Sequence, residues 1–177
     1  MKDTIFVNLI GGPGIGKSRM AASLFSLCKE AGMNVELIRE WVKDYVYENN
    51  QCILTDELKI FAEQNHLQHR LKGKVDVVIT DAPLMLKLYY QPKEYNFVPI
   101  VVDVINQYHN MNFLLTRKGE YRTNGREQTE DEAIVIDNQL TELLHQHKIP
   151  FYTVEGSPSK AEEILQYIQL ALSSNSK

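Results

Sequence analysis

Long apolar runs, cysteine and positive charge are all scarce in this sequence, and each shortage removes a class of function. The longest apolar runs, such as 75–80 and 98–102, fall far short of the roughly 20 residues that cross a bilayer, so no membrane partner is expected. The start, Met1-Lys2-Asp3-Thr4, leads directly into a strand-like segment and lacks the layout of a secretion signal. Two cysteines, Cys28 and Cys52, show neither metal-like spacing nor a framework of pairs. They read as reduced thiols of a cytoplasmic protein. A formal net charge of −4 gives no global attraction to nucleic acid or anionic membrane, although a local basic channel is compatible with it. There is no internal repeat and no Pro/Gly/Ser-rich linker, so one domain is expected over 1–172, with a frayed tail at 173–177.

Within that domain, two kinds of segment alternate. Short β-branched runs at 4–10, 35–38, 75–80, 112–116 and 150–154 read as strands. Longer stretches at 17–31, 40–47, 56–71, 98–108, 129–145 and 159–172 carry helical periodicity. Strands separated by helices imply a parallel sheet covered on both faces, and their near-continuous apolar character fits burial on both sides. The fold class is therefore α/β with three layers around a five-stranded parallel sheet. Gly32 stands where the first helix should stop. Thr129-Glu130-Asp131-Glu132 has the form of a capped, acid-rich helix start.

The chemistry-bearing motif is Gly11-Gly12-Pro13-Gly14-Ile15-Gly16-Lys17-Ser18, between the first strand and the first helix. Glycines let backbone N–H groups converge on phosphate oxygens without Cβ clashes, and the helix N-terminus adds partial positive charge. Lys17 then reaches the β- and γ-phosphates, and the Ser18 hydroxyl is a magnesium ligand. A glycine-rich turn with an incidental Lys-Ser is the plain alternative. Its chance in a chain of this length is on the order of one in a few hundred from average composition. Arg19 and Arg117 complete the expected ATP-binding set.

Other candidates lie at the ends of later strands, where ligands bind in open α/β sheets. Asp81 ends the strand 75–80, as a carboxylate for magnesium or as a helix N-cap before Ala82-Pro83. Arg39-Glu40-Trp41 follows the second strand. Glu40 is a candidate to orient or deprotonate an acceptor hydroxyl, and Arg39 to pair with substrate phosphate or with Glu40 itself. The polar segment 117–128 holds Arg117, Lys118, Arg122 and Arg126 with Gly119 and Gly125, and is read as a lid. Its guanidinium groups, those of Arg122 and Arg126 before Arg117, suit charge spread over a transferred phosphoryl group. Tyr89, Tyr90 and Tyr95 are candidates to stack on an acceptor ring, or core residues. His66 and His69 have metal spacing but no third ligand, so they read as surface histidines.

These motifs together resemble the ribosylnicotinamide kinase domain of NadR-type proteins and the related small AAA-like P-loop proteins, many of them encoded by bacteriophages. The resemblance rests on 11–18, on Arg39-Glu40-Trp41-Val42, on the helix 64–70 before the strand 75–81, and on Tyr121-x3-Gly125-Arg126 followed by Glu132-Ala133. The strand end Thr80-Asp81-Ala82-Pro83 departs from other members. The resemblance implies strand order 2-3-1-4-5. It also implies a kinase that uses ATP and Mg2+ to phosphorylate a hydroxyl of a small nucleoside- or nucleotide-like acceptor, such as nicotinamide riboside or a deoxynucleotide. Lys17, Arg122 and Arg126 would neutralise charge, Ser18 and Asp81 would place the metal, and Glu40 would handle the acceptor. Two rivals stand beside it. One is a phage-type kinase of 5-hydroxymethyluracil in DNA, for which Lys43, Lys87 and Lys93 make a sparse groove. The other is a P-loop ATPase or switch protein with water as acceptor.

Overall fold

The computed structural model describes residues 3–91, 96–117 and 129–174. The expected lid therefore lies outside the described residues apart from Arg117, and with it Arg122 and Arg126. Lys93 and Tyr95 lie outside them as well.

The centre of the sheet is β1 (Ile5–Ile10), buried along its whole length. It pairs in parallel with β3 (Val77–Thr80) on one side and β4 (His109–Thr116) on the other. β2 (Val35–Ile38) adds outside β3, and β5 (Tyr152–Glu155) outside β4. The order is β2-β3-β1-β4-β5, all parallel, as the resemblance implied.

Alternation along β1 divides the core in two. Ile5, Val7 and Leu9 point to the layer formed by α1 (Lys17–Glu30) and α7 (Ala161–Ser174), where Met20, Leu24, Cys28, Ile164 and Ile168 are buried. Phe6 and Ile10 point to the opposite layer. There α4 (Glu57–His69), the 3-10 turn Leu84–Leu88, α5 (Val98–Ile105) and α6 (Glu130–Gln146) contribute Phe61, Met85, Val101 and Leu144. Parallel neighbours need crossovers, and these put α1 and α7 on one face of the sheet and α4, α5 and α6 on the other. The connection from β1 leads to β2 on one side, and that from β4 leads to β5 on the other. Such a divergence opens a crevice beyond the carboxyl ends of the strands.

Local signals mostly act as read. Gly32 adopts φ +75 after α1, the left-handed conformation that ends a helix. Thr129 and Glu132 form a reciprocal capping box at the start of α6. Two differences have physical causes. No helix begins at 40. The Trp41 N–H donates to Gln64 Oε1 at 3.1 Å, and regular helix starts only with the short α2 (Lys43–Tyr47), followed by α3 (Gln51–Leu54). β4 begins three residues before the sequence signal, at His109 instead of Asn112. Its polar start is satisfied internally: Asn8 Nδ2 on β1 donates to Asn110 Oδ1 at 2.9 Å and to Asn112 Oδ1 at 2.8 Å.

Leu24 is wholly buried between α1 and the sheet. Leu24→Ala is expected to cost about 2–5 kcal/mol of unfolding free energy, as for other buried leucines. Guanidinium denaturation measures it, and a loss under about 1 kcal/mol would mean that this layer repacks freely.

Candidate active site

The loop after β1 is shaped by backbone conformation. Gly11, Gly14 and Gly16 all have positive φ, and Gly16, at φ 102, is the N-cap of α1. A Cβ on Gly16 would stand 2.6 Å from the carbonyl oxygen of Gly156, which follows β5. A Cβ on Gly12 would stand 2.7 Å from Asp137 Oδ1. Side chains are excluded at both positions by contact, and at Gly16 by dihedral angle as well. The first turn of α1 holds no acidic residue, so its N-terminal N–H groups keep their attraction for an anion. Ser18 and Arg19 are exposed on that turn.

Lys17 folds back over the loop, donating from Nζ to the Gly11 carbonyl at 2.6 Å and to the Gly12 carbonyl at 2.9 Å. Burial pulls its ammonium below the ordinary lysine range; Glu40, Asp81 and Asp137 oppose that effect, and Arg117 adds to it. One cation thus sits among three carboxylates.

Two of those carboxylates are the expected ones. Asp81 follows the last residue of β3. Its Oδ1 is buried and has no hydrogen-bond partner among the described residues. The 3-10 turn beyond it has Pro83 at its N-cap and no side-chain cap, so helix capping is not what Asp81 does. Glu40 follows β2 at the rim of the crevice. Loss of water at the crevice wall is the main reason its carboxyl lies above the ordinary glutamate range; the Lys17 ammonium opposes the rise and Asp81 adds to it. The residue as a whole is nonetheless exposed. Arg39 does not neutralise Glu40. Its Nη2 pairs with Asp44 Oδ2 at 2.6 Å, on the surface.

The third carboxylate, Asp137 of α6, has no precedent in the sequence motifs. Its Oδ1 accepts from the Gly12 N–H at 2.6 Å, and its Oδ2 accepts from Arg117 Nε at 2.6 Å. Arg117 Nη2 donates to the Pro13 carbonyl at 2.8 Å and to the Ala133 carbonyl at 3.3 Å. Arg117, expected to contact nucleotide, is engaged with α6 and with the outer arm of the loop. A signal for Asp137 was available. Ala133, Ile136, Leu140 and Leu144 are the buried stripe of α6, and Asp137 stands one turn after Ala133, an acid on the inward face.

Tyr90 borders the same crevice. Its hydroxyl is pushed up to about 12, by burial first, then by Tyr89, Glu40, Glu57 and Asp137. Tyr89 and Tyr90 meet edge to face at 4.6 Å. Tyr89 also lines a cavity of about 450 Å³ with Asp131, Glu132, Val135 and Ile136 of α6. Trp41 packs on Tyr45 at 4.7 Å. Lys87 is tied to Glu57 in an ion pair.

The shift at Glu40 fixes a sign. Above the ordinary value of 4.5, the folded protein holds a proton that the unfolded chain has released. Its stability therefore declines as pH rises from there through the folded value. Side-chain carboxyl NMR should place the Glu40 midpoint above 4.5, and Lys17→Met should raise it further by removing the nearest cation. A midpoint at or below the ordinary value would contradict the desolvated setting.

Three comparisons bear on this arrangement. The family described as AAA domain matches residues 6–161. No curated protein matches the chain. Among solved structures, NadR protein in complex with NR aligns with TM-score 0.62 at 14% identity, over 94% of this chain and 52% of that one. The chain thus spans about half of the NadR chain. Thymidylate kinase from Ehrlichia chaffeensis aligns at 0.61 and 13% identity, over 94% and 99% of the two chains. Deoxyadenosine kinase from M. mycoides with bound dATP aligns at 0.56 and 17%, over 93% and 98%. At these identities the likeness is one of fold, and it is the P-loop nucleoside-kinase fold with sheet order 2-3-1-4-5. With the family matched over most of its length, the chain belongs to the AAA-domain family of small P-loop proteins that resemble NadR.

Proposed function

We propose that the protein is a kinase that moves the γ-phosphoryl group of MgATP to a hydroxyl of a small nucleoside- or nucleotide-like acceptor, such as nicotinamide riboside or a deoxynucleotide. One observation carries this reading: Glu40 lies two residues past the end of β2, Asp81 one past the end of the neighbouring β3, and the loop that bears Lys17 follows β1 beside it. Phosphoryl transfer needs a cation on the transferred group, a carboxylate near a metal and an acceptor to the side, with little covalent work for the protein.

The loop N–H groups and Lys17 hold the phosphates. The acceptor oxygen forms a bond to the γ-phosphorus, the bond to the β–γ bridging oxygen breaks, and ADP leaves with that electron pair. The acceptor proton passes to Glu40, whose raised proton affinity suits it to accept late in the transfer. Asp81 fits a hard cation, since a buried carboxylate oxygen with no partner among the described residues is one that an ion would compensate. Ser18 on the first turn of α1 and Asp81 would hold magnesium, which when bound neutralises charge on the phosphate oxygens. The crystallised relatives support a nucleoside-like acceptor by what they are: a NadR protein with NR, a thymidylate kinase and a deoxyadenosine kinase with dATP. A DNA acceptor is less favoured because Lys87, one of the lysines that would line a groove, is already paired with Glu57.

Labelled ATP incubated with nucleosides, nucleotides and DNA containing 5-hydroxymethyluracil tests the reading. Label should move to a small acceptor, and Lys17→Ala should abolish the transfer while the fold persists. Hydrolysis to phosphate at a rate no acceptor changes would favour an ATPase or switch protein instead. Asp81→Asn should raise the magnesium concentration for half-maximal activity, and an unchanged titration would remove Asp81 from the metal. Glu40→Gln should keep ATP affinity and lose turnover on the order of 100-fold, as for other general bases. Turnover within a few-fold of the parent would rule out the base.

A further inference from the structure

The Asp137–Arg117 pair sets an electrostatic problem. A carboxylate bonded to the Gly12 N–H stands inside the loop expected to hold a polyphosphate, close enough to act on the Lys17 ammonium. Alone, that charge would repel the ligand. It is not alone. Both groups of the pair are more than four-fifths buried, at 18% and 19% exposure, and their bonds run through three chain segments. Asp137 holds the loop by the Gly12 N–H. Arg117 holds Asp137 through Nε, the loop through the Pro13 carbonyl, and α6 through the Ala133 carbonyl. Gly12 packs against all of them, since a Cβ there would meet Asp137 Oδ1, the Ala133 carbonyl and Arg117 Nη2 at 2.7, 3.1 and 3.2 Å.

We propose that Arg117 and Asp137 are positioning residues for the nucleotide. Asp137 fixes the outer arm of the loop, and Arg117 neutralises Asp137 and ties it to the loop, so that Arg117 serves nucleotide binding through Asp137 and not through a bond to phosphate. The proposal rests on the reading that this loop takes MgATP. A planar fork with several donors is required, because Nε and Nη2 together serve one carboxylate and two carbonyls. Lysine offers a point charge and cannot bridge them.

The two roles open to Arg117 make opposite forecasts for a double variant. If Arg117 touched phosphate, losing it would weaken binding whatever stands at 137. If it acts through Asp137, the loss in Arg117→Ala comes from a bare carboxylate beside the loop. Asp137→Asn then removes that charge while keeping an oxygen for the Gly12 N–H.

MgATP binding by calorimetry on the full chain decides between them, with thermal melting to show that each variant is folded. Arg117→Ala should weaken MgATP by about tenfold or more, as when one partner of a buried charge pair is truncated. Arg117→Ala/Asp137→Asn should return to within about threefold of the parent, a coupling typical of residues in contact. Arg117→Lys should bind more weakly than the parent. Should Arg117→Ala fail to fold, the same comparison runs on Arg117→Lys with and without Asp137→Asn. A double variant as weak as the single, an Arg117→Ala that binds normally, or an Arg117→Lys equal to the parent would each overturn the proposal. Lys17→Ala separates this failure from that of the kinase reading. If it binds MgATP like the parent, the nucleotide assignment itself is at fault.

Discussion

Backbone crowding around the glycine-rich loop is the constraint on which the rest of the site depends. The turn after β5 presses on Gly16, and the side chain of Asp137 presses on Gly12, at distances that exclude a Cβ. The turn presses elsewhere too: a Cβ on Gly156 would lie 2.2 Å from the Ile15 carbonyl. The loop is thus a moulded surface, set by α6 on one flank and by the β5 turn on the other. Its shape belongs as much to those distant segments as to its own dihedral angles, which is how a preorganised anion site differs from a mobile turn.

Charge is organised around the same point. Lys17 leaves water to lie over two loop carbonyls, and three carboxylates from β2, β3 and α6 surround it. A cation held this way is available to an incoming phosphate without a large rearrangement of solvent. The carboxylates have different surroundings and hence different uses. Asp137 is committed to Arg117 and Gly12. Asp81 keeps one buried oxygen without a partner among the described residues. Glu40 is exposed as a whole and has a raised proton affinity.

The sheet was legible because its strands are short, β-branched and nearly all apolar, and the loop because its residue types are demanded by backbone geometry. Glu40 and Asp81 were legible for a positional reason: each lies within two residues of a strand end, which alone places them. Asp137 was not. It lies in the middle of a helix, and only the pairing of β1 with β4 and the packing of α6 bring it to Gly12. Arg117 was legible as a candidate, being a cation at a strand end, yet its partners were not, since they are distant in sequence. Asn110 at the start of β4 read as loop because its polar side chain argues against a buried strand. Asn8 on the neighbouring strand supplies the bond that removes the objection.

The bonds that shape the loop reach far along the chain. Gly12 is held by a residue 125 positions later, and Pro13 by one 104 positions later. During synthesis the loop leaves the ribosome more than a hundred residues before its clamps. Contacts of such separation form late, because closing a long loop costs entropy before it returns any. A nascent chain halted before α6 would carry the complete glycine motif and still lack the moulded site. Binding at this loop would therefore report that the chain has folded as far as α6, and a ligand held there would stabilise that folded form selectively, leaving shorter precursors untouched.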